Sequence, residues 1–179
     1  MKSFEHASGY ELVRHIQQNF HGNLVGIEIG CAEGTTTECY LELFKNLRLY
    51  GIDPYTPFVD WNGVNIHEGV HQYAYDKFRE KVDRFGDRFV HIKDYSDNVH
   101  NKFADHSLDF IFVDGLHTYD QVLKDCNNYW NKVRSGGLFA GHDYNIISGV
   151  KQAVNEFAQS LQIEKIYVGT NDVWYWFKK

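Results

Sequence analysis

Proline is nearly missing from this chain of 179 residues, which has 2, and methionine is rarer still, with 1. So little proline excludes a proline-rich linker or a polyproline recognition tract. No apolar run approaches the roughly 20 residues that a membrane-spanning helix needs, so no membrane partner is expected. The opening MKSFEHASGYELVRHIQQNF is polar and lacks the apolar stretch and small-residue cleavage site of a secretory signal. Cysteines number 3 (Cys31, Cys39 and Cys126) and show no CxxC spacing. That excludes a disulfide framework and a zinc motif, and it predicts reduced thiols in a cytoplasmic protein. Positive charge is scarce too: 18 Lys and Arg stand against 24 Asp and Glu, a net charge of -6, with no basic block. A nucleic-acid partner needs clustered positive charge and is not expected.

What the chain has in excess is aromatic rings, with 13 Phe, 12 Tyr and 4 Trp. Its length supports one domain with its own core, residues 1–179. Strand-like and helix-like periodicities alternate throughout. Ser8 followed by Glu11 fits a capping box and predicts an N-terminal helix within residues 1–22. The strands expected next are Leu24 to Ile29, Leu47 to Asp53, RFVHIKD, and the nearly continuous apolar run Leu108 to Asp114. A helix ending at Gly86 lies between the second and third of these. Another spans Tyr119 to Val133 and is stopped by Ser135-Gly136-Gly137, after which LFAG leads into His142-Asp143-Tyr144. A last helix, from about Gly149 to Leu161, precedes IEKIYVG and VWYWFKK, two strands joined by a turn at Thr170-Asn171-Asp172. The fold class is therefore α/β: a Rossmann-like, doubly wound sheet of about seven strands, mostly parallel with an antiparallel C-terminal hairpin.

In such sheets ligands bind beyond the carboxyl ends of the strands, at the topological switch point. The residues there include Gly30 to Gly34, Asp53, Asp94 to Ser96, Asp114 to His117 and His142 to Asn145. Glu28-Ile29-Gly30-Cys31-Ala32-Glu33-Gly34 has the spacing G-x-x-x-G, which is not the dinucleotide fingerprint. Its acidity suits a ligand with a cationic group, such as a sulfonium or an amine. Asp53 follows Gly34 by 19 residues, where a carboxylate can accept the hydroxyls of a ribose. An ordinary βα turn with a helix cap is the plainer reading of the same residues.

VGIEIGCAEGTTT, YGIDPY, LDFIFVDGLHTYDQVLKD and SGGLFAGHDY occur in that order. Together they resemble class I S-adenosylmethionine-dependent methyltransferases. The nearer likeness is to the small branch related to macrocin O-methyltransferases and cephalosporin-hydroxylase-like proteins. The resemblance implies S-adenosylmethionine as cofactor, with Glu28, Gly30 and Gly34 along its methionine and ribose side. It implies that Asp53 holds the ribose hydroxyls, that Asp94 and Ser96 sit beside the adenine, and that Asp114 faces the methyl group. The implied reaction is O-methylation of a small molecule or sugar.

Asp114, His142 and Asp143 have two readings. They form a site for Mg²⁺ or another divalent cation, or they serve as hydrogen-bond acceptors and loop caps. A histidine ligand favours Mn²⁺, Fe²⁺ or Zn²⁺ over Mg²⁺. His117 and His142 are the candidate bases, since imidazole titrates near neutral pH. Residues 54–70 carry Tyr55, Phe58, Trp61 and His67 in a long loop, read either as a lid over the substrate or as cover for apolar surface. With only one helix before the first strand, the pocket is read either as open to a large acceptor or as closed by a second subunit, and a homodimer is expected. The rival functions are a metal-dependent hydroxylase-like enzyme and a cofactor-binding module without catalysis.

Overall fold

The computed structural model describes residues 3–179. Strand β1 (Leu24–Ile29) leads through α2 (Thr35–Leu43) to β2 (Leu47–Ile52), after the N-terminal α1 (Tyr10–Asn19). A two-stranded hairpin, β3 (Phe58–Val59) and β4 (Asn65–Ile66), and then α3 (Glu68–Val82) separate β2 from β5 (Phe89–Ile92). The short α4 (Ser96–Val99), β6 (Leu108–Val113), α5 (Tyr119–Trp130) and β7 (Val133–Gly141) follow. The chain closes with α6 (Ser148–Ser160), β8 (Tyr167–Val168) and β9 (Trp174–Phe177). The main sheet has seven strands in the order β5-β2-β1-β6-β7-β9-β8. β5, β2, β1, β6 and β7 are parallel, while β9 runs antiparallel to both β7 and β8. The chain steps outward from β1 to β2 and β5, then crosses to the other side at β6. That reversal opens the crevice between β1 and β6.

Strand β6 shows why the sheet is buried on both faces. Its side chains alternate, so Phe110 and Phe112 enter one core while Ile111 and Val113 enter the other. The first core joins α1, α2 and α3 through Leu12, Ile16, Tyr40, Leu41 and Phe78. The second joins α5 and α6 through Val122, Tyr129, Val154 and Phe157, together with Phe139, Trp174 and Trp176. Trp174 and Trp176 stack at 5.4 Å between centroids, so the closing aromatic strand is core. All three cysteines are free and buried, as small apolar side chains are expected to be.

Three local expectations fail for identifiable reasons. The helix α1 has Gly9 at its N-cap and no side-chain cap, because the Ser8 hydroxyl is engaged by Asp114 and Thr36 instead. Ser135-Gly136-Gly137 does not stop a helix; it lies inside β7, beside a register shift between Leu108 and Phe110 on β6. The helix expected to run to Gly86 ends at Val82 and continues as a 3₁₀ segment, with Gly86 at φ +54° inside it.

Candidate active site

The glycine turn is fixed by close approach of two strand ends. Gly30 has φ +83°, and a Cβ there would lie 2.1 Å from the Asp114 carbonyl oxygen. No side chain fits between β1 and β6 at this point. Asp114 N–H in turn donates to Ile29 O at 2.8 Å, so the two strand ends are tied together. Asp53 pins the turn from the β2 side. Its Oδ2 accepts from the amides of Cys31 (2.9 Å) and Ala32 (3.1 Å), and its Oδ1 accepts from Tyr55 N–H at 2.9 Å. The Tyr55 hydroxyl returns to Ala32 O at 2.7 Å.

Above these ends lies a cavity of about 460 Å³, within the range of small-molecule sites. Gly30, Asp53, Ser96, Asp114 and His117 all line it. Tyr55, Phe58, Trp61 and Ile66 from the 54–70 segment line it as well, so that segment bounds the cavity. Gly34 lies behind the turn, where it begins α2 at φ +75° and packs against Phe78. Glu28 lies beneath the turn, 1% exposed, and accepts from Thr37 Oγ1 at 2.6 Å. Burial holds its carboxyl well above the usual range, partly offset by the Thr37 bond. Asp94 turns to solvent and accepts from Tyr95 N–H and Asn98 Nδ2, both at 2.8 Å, which ties down the start of α4. Neither carboxylate reaches the cavity.

At the β5 end of the cavity a polar network was not foreseen from the sequence. Ser96 Oγ donates to Asp125 Oδ1 at 2.5 Å, and Gln121 Nε2 reaches both at 3.3 Å. Burial pushes the Asp125 carboxyl up to about 7 despite those two hydrogen bonds. The signal was there to read. Asp125 shares the buried face of α5 with Val122, Cys126 and Tyr129, where a charge is out of place.

At the other end, β6 and β7 deliver a cluster. His117 Nε2 stands 3.2 Å from Asp114 Oδ1 and 3.2 Å from Asp143 Oδ2. Asp114, His117 and Asp143 each offer a ligand atom, all within 4.8 Å of one another. His142 Nδ1 lies 3.1 Å from Asp143 Oδ1 and 3.6 Å from Asp114 Oδ1, beside this group but outside the cavity wall. Burial works to lower the His142 pKa, yet the bond to Asp143 and the Asp114 charge outweigh it and the net shift is upward. Burial likewise works to raise Asp143, but its contact with His142 and the His117 charge hold its carboxyl below the usual range. Asp143 has φ +61°, a conformation uncommon for a side-chain-bearing residue. The surrounding contacts hold it there. Trp174 Nε1 donates to His142 O at 3.2 Å, and Tyr144 N–H donates to Asp172 O at 3.2 Å.

Trp61 stands edge-on to His117, with ring centroids 5.3 Å apart and planes at 82°. On the far side of that pair is a second, more polar cavity of about 390 Å³, reaching Thr118, Tyr119 and the start of α6. His117 therefore faces both spaces.

Comparison with known proteins agrees with this layout. NovP, an O-methyltransferase of known structure, superposes with a TM-score of 0.70 at 18% identity, over 96% of this chain and 80% of its own. An rRNA methylase from Streptococcus thermophilus superposes with a TM-score of 0.64 at 16% identity, over 99% of this chain and 98% of its own. At these identities the likeness is one of fold. An uncharacterized protein of Acanthamoeba polyphaga mimivirus is 28% identical over 168 residues, covering 87% of this chain and 71% of that one. The family described as Methyltransferase domain matches residues 27–144, from β1 to the loop after β7. With that match over the strands that build the crevice, the chain belongs to the class I S-adenosylmethionine-dependent methyltransferases.

Proposed function

We propose that this methyltransferase acts on a hydroxyl oxygen of a small-molecule or sugar acceptor, activated at Asp114, His117 and Asp143. One observation carries the reading: His117 Nε2 is held 3.2 Å from a carboxylate oxygen on either side while its ring lines both cavities. Catalytic groups must lie within hydrogen-bond reach of the proton they take, and His117 is the titratable side chain common to both spaces.

The residues present fit the cofactor. The larger cavity runs from the Gly30 turn past Asp53 to Ser96, with apolar walls at Ile29, Ile52 and Leu116. The cofactor supplies an electrophilic methyl group on a sulfonium. The chain's part is to orient and desolvate it and to remove the acceptor's proton. With the cofactor bound, the acceptor oxygen would form its new bond to the methyl carbon as the carbon–sulfur bond breaks toward sulfur, and the hydroxyl proton would pass to His117 Nδ1, because Nε2, facing two carboxylate oxygens, carries the ring's own hydrogen. Asp114 and Asp143 stabilise the resulting imidazolium.

A divalent cation fits the same three side chains. Two carboxylates and one imidazole suit Mn²⁺, Fe²⁺ or Zn²⁺ better than Mg²⁺, and such an ion would lower the pKa of a bound hydroxyl. The 54–70 segment acts as a lid, with Trp61 as the wall between cofactor and acceptor. A homodimer belongs to the same proposal, because Val59, Val64, Val70 and Tyr73 are exposed around the lid. A cytoplasmic setting is inferred from the three unpaired cysteines.

The test is transfer of labelled methyl from S-adenosylmethionine to pooled sugars, phenols, amines and an rRNA fragment. Label on hydroxylated small molecules, lost in His117→Ala, supports the reading. Label on amines or RNA alone overturns it. Full turnover after chelation removes the cation, and a monomer mass by light scattering at micromolar concentration removes the dimer.

A further inference from the structure

Among the described residues, two buried side-chain nitrogens have no hydrogen-bond partner: His71 Nε2 and Trp176 Nε1. Trp176 is sealed in the second core. His71 lines the large cavity, although it is only 8% exposed. A buried polar atom without a partner is costly, so one in a ligand cavity wall points to a group that arrives with the ligand.

The position of His71 says which part of the ligand that is. His71 belongs to the inward face of α3, with Ala74 and Phe78 one and two turns further on. Phe78 and Tyr75 pack on Tyr55, at 5.5 and 4.9 Å between centroids. Tyr55 N–H is bound to Asp53, so this helix flanks the β2 end of the crevice and not the Asp114 end. On its other side His71 meets Phe58 of the lid hairpin at 5.3 Å.

Asp53 supplies the second half of the argument. A carboxylate has about four acceptor positions, two on each oxygen. The amides of Cys31 and Ala32 take both on Oδ2, and Tyr55 takes one on Oδ1. About one position is left, while a ribose presents two vicinal hydroxyls. We propose that His71 Nε2 is the second partner, so that Asp53 and His71 divide the ribose diol between them. Helix α3 then binds the nucleoside directly, and His71 is a cofactor-holding residue. This rests on the methyltransferase reading of the cavity.

The experiment is calorimetric titration of the full chain with S-adenosylhomocysteine and with 5′-methylthioadenosine, which lacks the amino-acid half. His71→Phe keeps the ring's shape and removes the nitrogen; His71→Gln returns a polar atom at a similar reach. The expected result is a loss of about tenfold in affinity for both ligands in His71→Phe. The loss in His71→Gln should be about threefold or less, with no fall in the melting temperature of either ligand-free variant. On the wild type, deleting either ribose hydroxyl of 5′-methylthioadenosine should cost a similar factor; in His71→Phe the cost of one deletion should vanish, while the cost of the other, held by Asp53, should remain. Wild-type affinity for both ligands in His71→Phe overturns the inference, and so does a loss confined to S-adenosylhomocysteine. A hydroxyl deletion that costs the wild type nothing overturns it without any variant. A wild type that binds neither ligand removes the methyltransferase reading itself, and this inference with it.

Discussion

The Ser8 hydroxyl donates to Asp114 Oδ2 at 2.7 Å across a sequence separation of 106 residues. The same hydroxyl lies 3.0 Å from Thr36 Oγ1, and Gly9 O accepts from the Tyr40 hydroxyl at 3.0 Å. The segment before α1 is thus fastened to the crevice carboxylate Asp114 and to α2 together. Ser8→Ala should lower stability by about 1.5–3 kcal/mol, the range for a hydrogen bond to a charged group. Urea unfolding measures it. An unchanged midpoint would mean that Asp114 finds another donor without the hydroxyl.

Gly30→Ala should be far more severe. The added methyl would meet the Asp114 carbonyl at 2.1 Å, on a backbone at φ +83° that an alanine avoids. Because the obstacle is backbone, relief requires the β1 and β6 ends to part, which opens the crevice proposed to hold the cofactor. We expect a loss of several kcal/mol and no heat of binding with S-adenosylhomocysteine. A variant that melted and bound as the wild type would show that the turn tolerates a side chain.

The contrast between those two residues shows what could be read in advance. Gly30, Asp53 and Asp114 were legible because each ends a strand whose apolar run marks it, and the sheet's connection rules bring such ends to one crevice. Ser8 was not, because its partner lies across the fold and its local pattern imitated a capping box. Ser135-Gly136-Gly137 reads as a breaker from composition, yet the irregular pairing of β6 with β7 accommodates it within a strand. The β3–β4 hairpin pairs two residues on each side, too few to show a period. His71 resembled any other histidine until the helix placed it in the cavity wall. Asp94 and Ser96 were read together, but the backbone turns between them, so one binds the Tyr95 amide and the Asn98 side chain while the other lines the cavity.

Trp61 tests the division between the two cavities. Its indole stands against His117 and contributes to both walls. Trp61→Ala should lower kcat/KM for the acceptor about tenfold or more, through lost positioning and admitted water. Affinity for S-adenosylhomocysteine should change by less than about threefold, since the Asp53 end is untouched. The reverse pattern would make Trp61 part of the cofactor site.

Asp125 gives the protein a pH dependence of definite sign. Burial raises its carboxyl to about 7 in the folded chain, while an unfolded aspartate titrates near about 3.9. Between those values the folded state keeps a proton that the unfolded state has released. Stability from this group is therefore full below about pH 4, falls as pH rises, and is lost above about pH 7. The span corresponds to roughly 4 kcal/mol at most. Asp125→Asn keeps an oxygen that can accept from Ser96 and Gln121 but carries no charge to desolvate. It should match the wild type near pH 4 and exceed it by a growing margin up to pH 8. Denaturant midpoints at unit pH intervals read the difference directly. A constant margin across that range would mean that the carboxyl is already ionised in the fold, with the Ser96 and Gln121 bonds outweighing its burial.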